Sequence, residues 1–90
     1  MPEDQITAAD INRADSLTAA VAAAIDDMFT YSSWDAGKMA RGAEIRFALA
    51  SAVKSIIKNV PPCPDRSEAI RKIREARMDC NSAITHEGRF

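Results

Sequence analysis

At 90 residues, 47% hydrophobic and 28% charged, the chain suffices for one small domain and is too short for two. Seventeen alanines against three glycines give a helix-rich composition and exclude collagen, disordered and disulfide-scaffold classes. The net charge of −1 hides a split: residues 1–35 carry seven acids and one base, residues 36–90 eleven bases and six acids. Such an imbalance points either to packing of the acidic segment on the basic one or to an anionic ligand for the second part.

Cys63 and Cys80 form no CxxC pair, and the nearest histidine, His86, does not complete a metal motif. A reducing compartment and no metal are expected. The longest uncharged apolar stretch, residues 16–25, is too short to span a bilayer. Glu3 and Asp4 stand where a secretory signal would carry bases. The expected setting is the cytoplasm.

Thr7 with Asp10 has capping-box spacing, and Ile11, Leu17, Val21, Ile25 and Met28 recur at roughly helical intervals. One helix over about residues 8–28 is predicted, with apolar side chains too few and small for a main core. Residues 1–28 form an acidic, alanine-rich segment, distinct from a second unit over residues 29–90. Residues 29–37 hold three of the five aromatics and break helical periodicity with serines and a glycine, so an aromatic-dense loop is expected.

A second helix is predicted over residues 38–59, with Ile45, Leu49, Ala52, Val53, Ile56 and Val60 on one stripe. Pro61, Pro62 and Pro64 stop it. A third helix starts at Asp65 or Ser67, both good N-cap types, and runs to about His86, where Gly88 can end it. Its seam is Ala69, Ile73, Ala76, Cys80 and Ala83, widened by Ile84. The fold class is therefore all-α: an N-terminal helix and a long antiparallel helical hairpin. Phe47 and Met78 fall outside the two stripes, so the N-terminal helix, further copies of the chain, or both must cover them. A helical homo-oligomer is expected.

Enzyme readings fare poorly. The sequence has no Gly-rich phosphate loop, HExxH or GxSxG. Glu44, Glu75 and Asp79 sit among arginines at intrahelical pairing distance and read as a solvated face. Cys80 lies on the apolar seam. Cations and aromatics remain. Arg46 edges the helix-two stripe and suits either a snorkelling surface role or contact with a phosphate or base. Tyr31 and Trp34 precede it on the loop, and Trp34 suits a cap on the open end of the hairpin core. Arg66, Arg71, Lys72, Arg74 and Arg77 decorate helix three, most of them for solubility. DNA is not an expected partner, because the chain is slightly acidic and carries no reading motif.

Phe29-Thr30-Tyr31, then Ile45-Arg46, then Pro61-Pro62 with Asp65-Arg66-Ser67, then residues 69–78 and the closing Asn81-Ser82-Ala83-Ile84 stand in an order that resembles a bacteriophage anti-defence family. That family comprises the anti-CBASS cyclic-nucleotide sponges, whose hairpin domain is shared with anti-Thoeris sponges. The resemblance covers about residues 29–86. It implies capture, without catalysis or cofactor, of cyclic oligonucleotide alarm molecules in the host cytoplasm. The ligands would be cyclic dinucleotides such as cyclic GMP-AMP, or cyclic trinucleotides, held between protomers of a homo-oligomer that is hexameric in the best-known members. It maps ligand contacts onto Tyr31, Arg46, Arg66 and Lys72. Two departures bear on which alarm is bound: Ser32-Ser33-Trp34 follows the tyrosine in place of a His-Pro-like stretch, and Asp79 follows Met78 in place of tryptophan.

Physics is consistent with that implication. A two-fold interface presents each side chain twice. One tyrosine and one arginine per chain then supply two stacking surfaces and two cations for a doubly anionic macrocycle. Stacking worth roughly 1–3 kcal/mol per base plus forked arginine contacts bring nanomolar binding, about −12 kcal/mol, within reach. The alternatives are a small all-helical oligomeric protein-interaction module that uses Phe47 and Met78, and a nucleic-acid binder that uses the basic helix-three face.

Overall fold

The computed structural model describes residues 3–30 and 32–90. The Thr7–Asp10 capping box forms. The Thr7 hydroxyl accepts the Asp10 N–H at 3.3 Å, and the Asp10 carboxylate accepts the Thr7 N–H at 3.0 Å. It opens α1 (Ala8–Arg13), behind a single 3-10 turn at Glu3–Gln5. The one helix expected over residues 8–28 is in fact two. Ala14 turns extended, and α2 (Ala19–Phe29) starts afresh from Thr18, whose hydroxyl accepts the Val21 N–H at 3.2 Å. Asp15, Ser16 and Thr18 are residue types that offer the backbone local alternatives to the helix, and the alanine-rich flanks bury too little apolar surface to override them.

Asp35 caps α3 (Ala36–Asn59) by accepting the Lys38 N–H at 2.8 Å, which starts the helix two residues earlier than the apolar pattern does. Val60 turns extended before Pro61 and ends it. In α4 (Pro64–Thr85) neither Asp65 nor Ser67 is the N-cap. Pro64 takes the first helical position and makes Cys63 the cap residue, with no side-chain hydrogen bond. The exit of α4 is a Schellman turn: the Gly88 N–H reaches the Ala83 carbonyl at 2.9 Å and the Glu87 N–H reaches Ile84 at 3.3 Å. Glu87, at φ 51, and not Gly88, fills the left-handed position immediately after the cap.

The fold class is all-helical, with no strand among the described residues. Helices α3 and α4 pack lengthwise as the expected hairpin. Ile45, Leu49, Ala52, Val53 and Ile56 meet Ala69, Ile73, Ala76, Cys80 and Ile84 along the seam, all half-buried, while Val60 and Ala83 stay exposed. No large side chain among the described residues is fully buried. The radius of gyration is 17.2 Å and the extents are 51 × 32 × 15 Å, against roughly 12 Å for a compact domain of this length.

The N-terminal helices do not cover the hairpin. The α2 backbone packs on the 3-10 turn and on α1, and α1 and α2 lie clear of α3 and α4. Phe47 and Met78 accordingly remain 76% and 69% exposed, contrary to the idea that the first helix would cover them. Among the described residues, the C-terminal tail links the two parts. Arg89 donates to the Ile6 carbonyl at 2.8 Å and to Asp27 at 3.1 Å, and its own carbonyl accepts the Ala8 N–H. Ile6 and Ala24 are the buried apolar residues of this junction.

Candidate functional site

The candidate site grows from the open end of the hairpin. Trp34, just ahead of the Asp35 cap, donates its indole N–H to the Thr85 hydroxyl at 2.7 Å. Its six-membered ring lies directly over Gly42, where any Cβ would collide with it. This fulfils the capping role expected of Trp34. Lys38 donates to the Thr85 carbonyl at 3.2 Å, and Arg41 pairs with Glu87 at 2.7 Å, closing the same end with charge.

From Trp34 a groove runs along one side of the hairpin. Its first hollow is lined by Trp34, Met39, Gly42, Arg46, Arg77 and Asn81. The next is lined by Arg46, Leu49, Val53, Ile73, Arg74 and Arg77. Helical spacing explains the grouping: Arg74, Arg77, Asn81 and Thr85 are three or four apart on α4, and Gly42, Arg46, Leu49 and Val53 repeat likewise on α3. Arg46, Arg74 and Arg77 thus converge, and no acidic side chain lines either hollow. None of the three has an ion-pair partner among the described residues.

That separates them from Arg13, Arg41, Arg71 and Arg89, each of which is ion-paired, and from Arg66, which is held by a backbone carbonyl. Arg71 is engaged by Glu68 and by Glu75, and those contacts, Glu68 first, raise its guanidinium above the ordinary value. Arg13 pairs with Asp10 at 2.8 Å. A larger hollow of about 420 Å³ lies between α1 and α2, but Asp10 and Asp15 line it and its one cation is the paired Arg13.

Of the expected site residues that are described, Arg46, Arg66 and Lys72, Arg46 alone lies in the groove. Arg66 donates to the Val60 carbonyl at 3.0 Å at the closed end of the hairpin, roughly 16 Å along the α4 axis from Arg77. Lys72 lines neither hollow and is exposed on another face of α4. The structure does not bring Arg66 or Lys72 together with Arg46. Tyr31 lies outside the described residues. Arg74 and Arg77 are groove residues that a reading as solubilising surface passed over, and Asn81 is one that entered only as part of the closing Asn81-Ser82-Ala83-Ile84 element; the available signal was their three-and-four spacing up to Thr85.

The groove is a wall, not an enclosure. Its hollows measure about 160 and 230 Å³, below the ~300–1,000 Å³ of pockets that engulf a ligand. Among the described residues no three His, Cys, Asp or Glu side chains cluster as metal ligands. No helix there is long and apolar enough to cross a membrane. Comparison with known proteins returns no family model, curated protein or solved structure that matches the chain.

Proposed function

We propose that the chain is a non-catalytic binder that sequesters cyclic oligonucleotides, cyclic dinucleotides foremost, in the groove of Arg46, Arg74 and Arg77. The site is completed by a second copy of the chain. The observation that carries this reading is the convergence of three guanidiniums without ion pairs on an apolar groove free of carboxylates. Phosphates satisfy forked cations, and bases satisfy the apolar floor.

The need for a second copy follows from the half-open seam and the shallow hollows. A dyad through the groove doubles the cations and shuts out water. The exposed Met39, Phe47 and Met78 supply apolar surface for such self-association. The resemblance of the motif order to that of the anti-CBASS sponges supports the same function: a bacteriophage protein that keeps effectors silent in the host bacterial cytoplasm. Under this reading Tyr31 adds a stacking ring, and Arg66 and Lys72 serve the hairpin tip and surface.

Calorimetry with cyclic di- and trinucleotides and cyclic ADP-ribose isomers tests the reading. Submicromolar binding is expected, weakened at least tenfold by Arg46→Ala, with intact ligand recovered on denaturation. Absence of binding across the panel overturns it. A protein-interaction module, the reading favoured by exposed Phe47 and Met78 taken alone, instead predicts that Arg46→Ala leaves activity intact while Phe47→Asp abolishes it.

A further inference from the structure

Two features of the first hollow go beyond a generic anion groove. The Trp34 indole is clamped, its N–H held by Thr85 at 2.7 Å and its ring seated on Gly42, so it meets a ligand without reorganising. Asn81 lies one helical turn before Thr85, is half-buried and lines the same hollow. Its amide has no hydrogen-bond partner among the described residues, while the neighbouring indole is fixed.

An amide side chain offers one acceptor beside one donor. That pattern complements the N6–H and N7 of adenine, whereas the same edge of guanine presents two acceptors, N7 and O6, and leaves the amide oxygen unsatisfied. A ring for stacking, an amide for the base edge and two arginines for the adjoining phosphate are thus gathered within one hollow.

We propose that the hollow of Trp34, Gly42, Arg46, Arg77 and Asn81 is an adenine subsite: Trp34 contacts the base, Asn81 reads its edge, and Arg46 and Arg77 hold the phosphate. The proposal rests on the nucleotide-binding reading above and assigns that site its base preference. Trp34 is the one tryptophan of the chain, so its emission reports on this hollow alone.

The experiment titrates the full chain with cyclic di-AMP and cyclic di-GMP, by calorimetry and by tryptophan emission in parallel. Emission should change with the calorimetric midpoint, and cyclic di-AMP should bind at least tenfold more tightly than cyclic di-GMP. Trp34→Leu should weaken cyclic di-AMP roughly 5- to 150-fold, the range of a lost base–aromatic stack. Asn81→Leu should level the two ligands. Should Trp34→Leu unfold the chain, as judged by helical circular dichroism, Asn81→Leu with the native indole carries the test.

Heat of binding with unchanged emission, or equal affinity for both ligands in the native chain, overturns the subsite and leaves the sponge reading standing. No heat with any member of the wider panel overturns both.

Discussion

Arg89 and Ile6, 83 positions apart, tie the two ends of the chain together: the guanidinium Nε donates to the Ile6 carbonyl at 2.8 Å. The same arginine reaches Asp27 on α2. With α1 and α2 clear of the hairpin helices, this tail holds the N-terminal part in place. Arg89→Ala removes a hydrogen bond from a charged donor, an effect of about 1.5–3 kcal/mol. Amide exchange in α2 should accelerate while α3 keeps its protection. A uniform change across all four helices would show that the tail is not the tether.

Acid should fray α1 selectively. The Asp10 carboxyl is held below its ordinary value, first by the Thr7 backbone N–H, then by the Thr7 hydroxyl, with Arg13 adding attraction. A depressed folded-state value stabilises the fold above the unfolded carboxylate pKa of about 3.9. That contribution fades as pH falls through the folded value. Carboxyl NMR should place the Asp10 midpoint below that of free aspartate, and Thr7→Ala should raise it. An ordinary midpoint in the native chain would remove the capping box as the cause.

The start of α4 is under-capped. Cys63 has the extended backbone of an N-cap, φ −167 and ψ 166, and no side-chain hydrogen bond. Cys63→Asp should stabilise the chain by about 1 kcal/mol, since a carboxylate there can accept a first-turn N–H and meets the positive end of the helix dipole. For a domain of this size that is a rise of about 4–8 °C in Tm. An unchanged Tm would argue that the Pro64 ring already fixes the start.

Phe47 points away from the seam and is 76% exposed. Phe47→Glu should leave the stability of one chain within about 0.5 kcal/mol. Analytical ultracentrifugation should nevertheless show a smaller species than the native chain forms. An unchanged sedimentation coefficient would separate this face from self-association.

The hairpin was legible because apolar residues three and four apart on α3 and α4 leave no competing periodicity, and because three prolines mark the turn. The N-terminal part misled for the opposite reason. Alanine sustains helical periodicity without strong burial, so the polar residues at 15, 16 and 18 decided the outcome and split one apparent helix in two. At the site, Arg46 was visible at the edge of its stripe. Arg74 and Arg77 were not, since their neighbours Arg71 and Lys72 make the whole run look like a solvated face. Which arginines are tied up became visible only in space: Arg71 bridges Glu68 and Glu75, and Arg66 bonds the turn carbonyl of Val60. The Trp34–Thr85 bond joins residues 51 apart, a separation that no local pattern encodes.

The seat of Trp34 on Gly42 makes those two positions a single unit of sequence change. A methyl group at 42 evicts the indole, whereas the same methyl beneath a smaller ring or an aliphatic side chain at 34 has somewhere to go. Gly42→Ala and Trp34→Leu combined should therefore cost less than their separate effects added together. Drift at either place is permitted chiefly in step with the other.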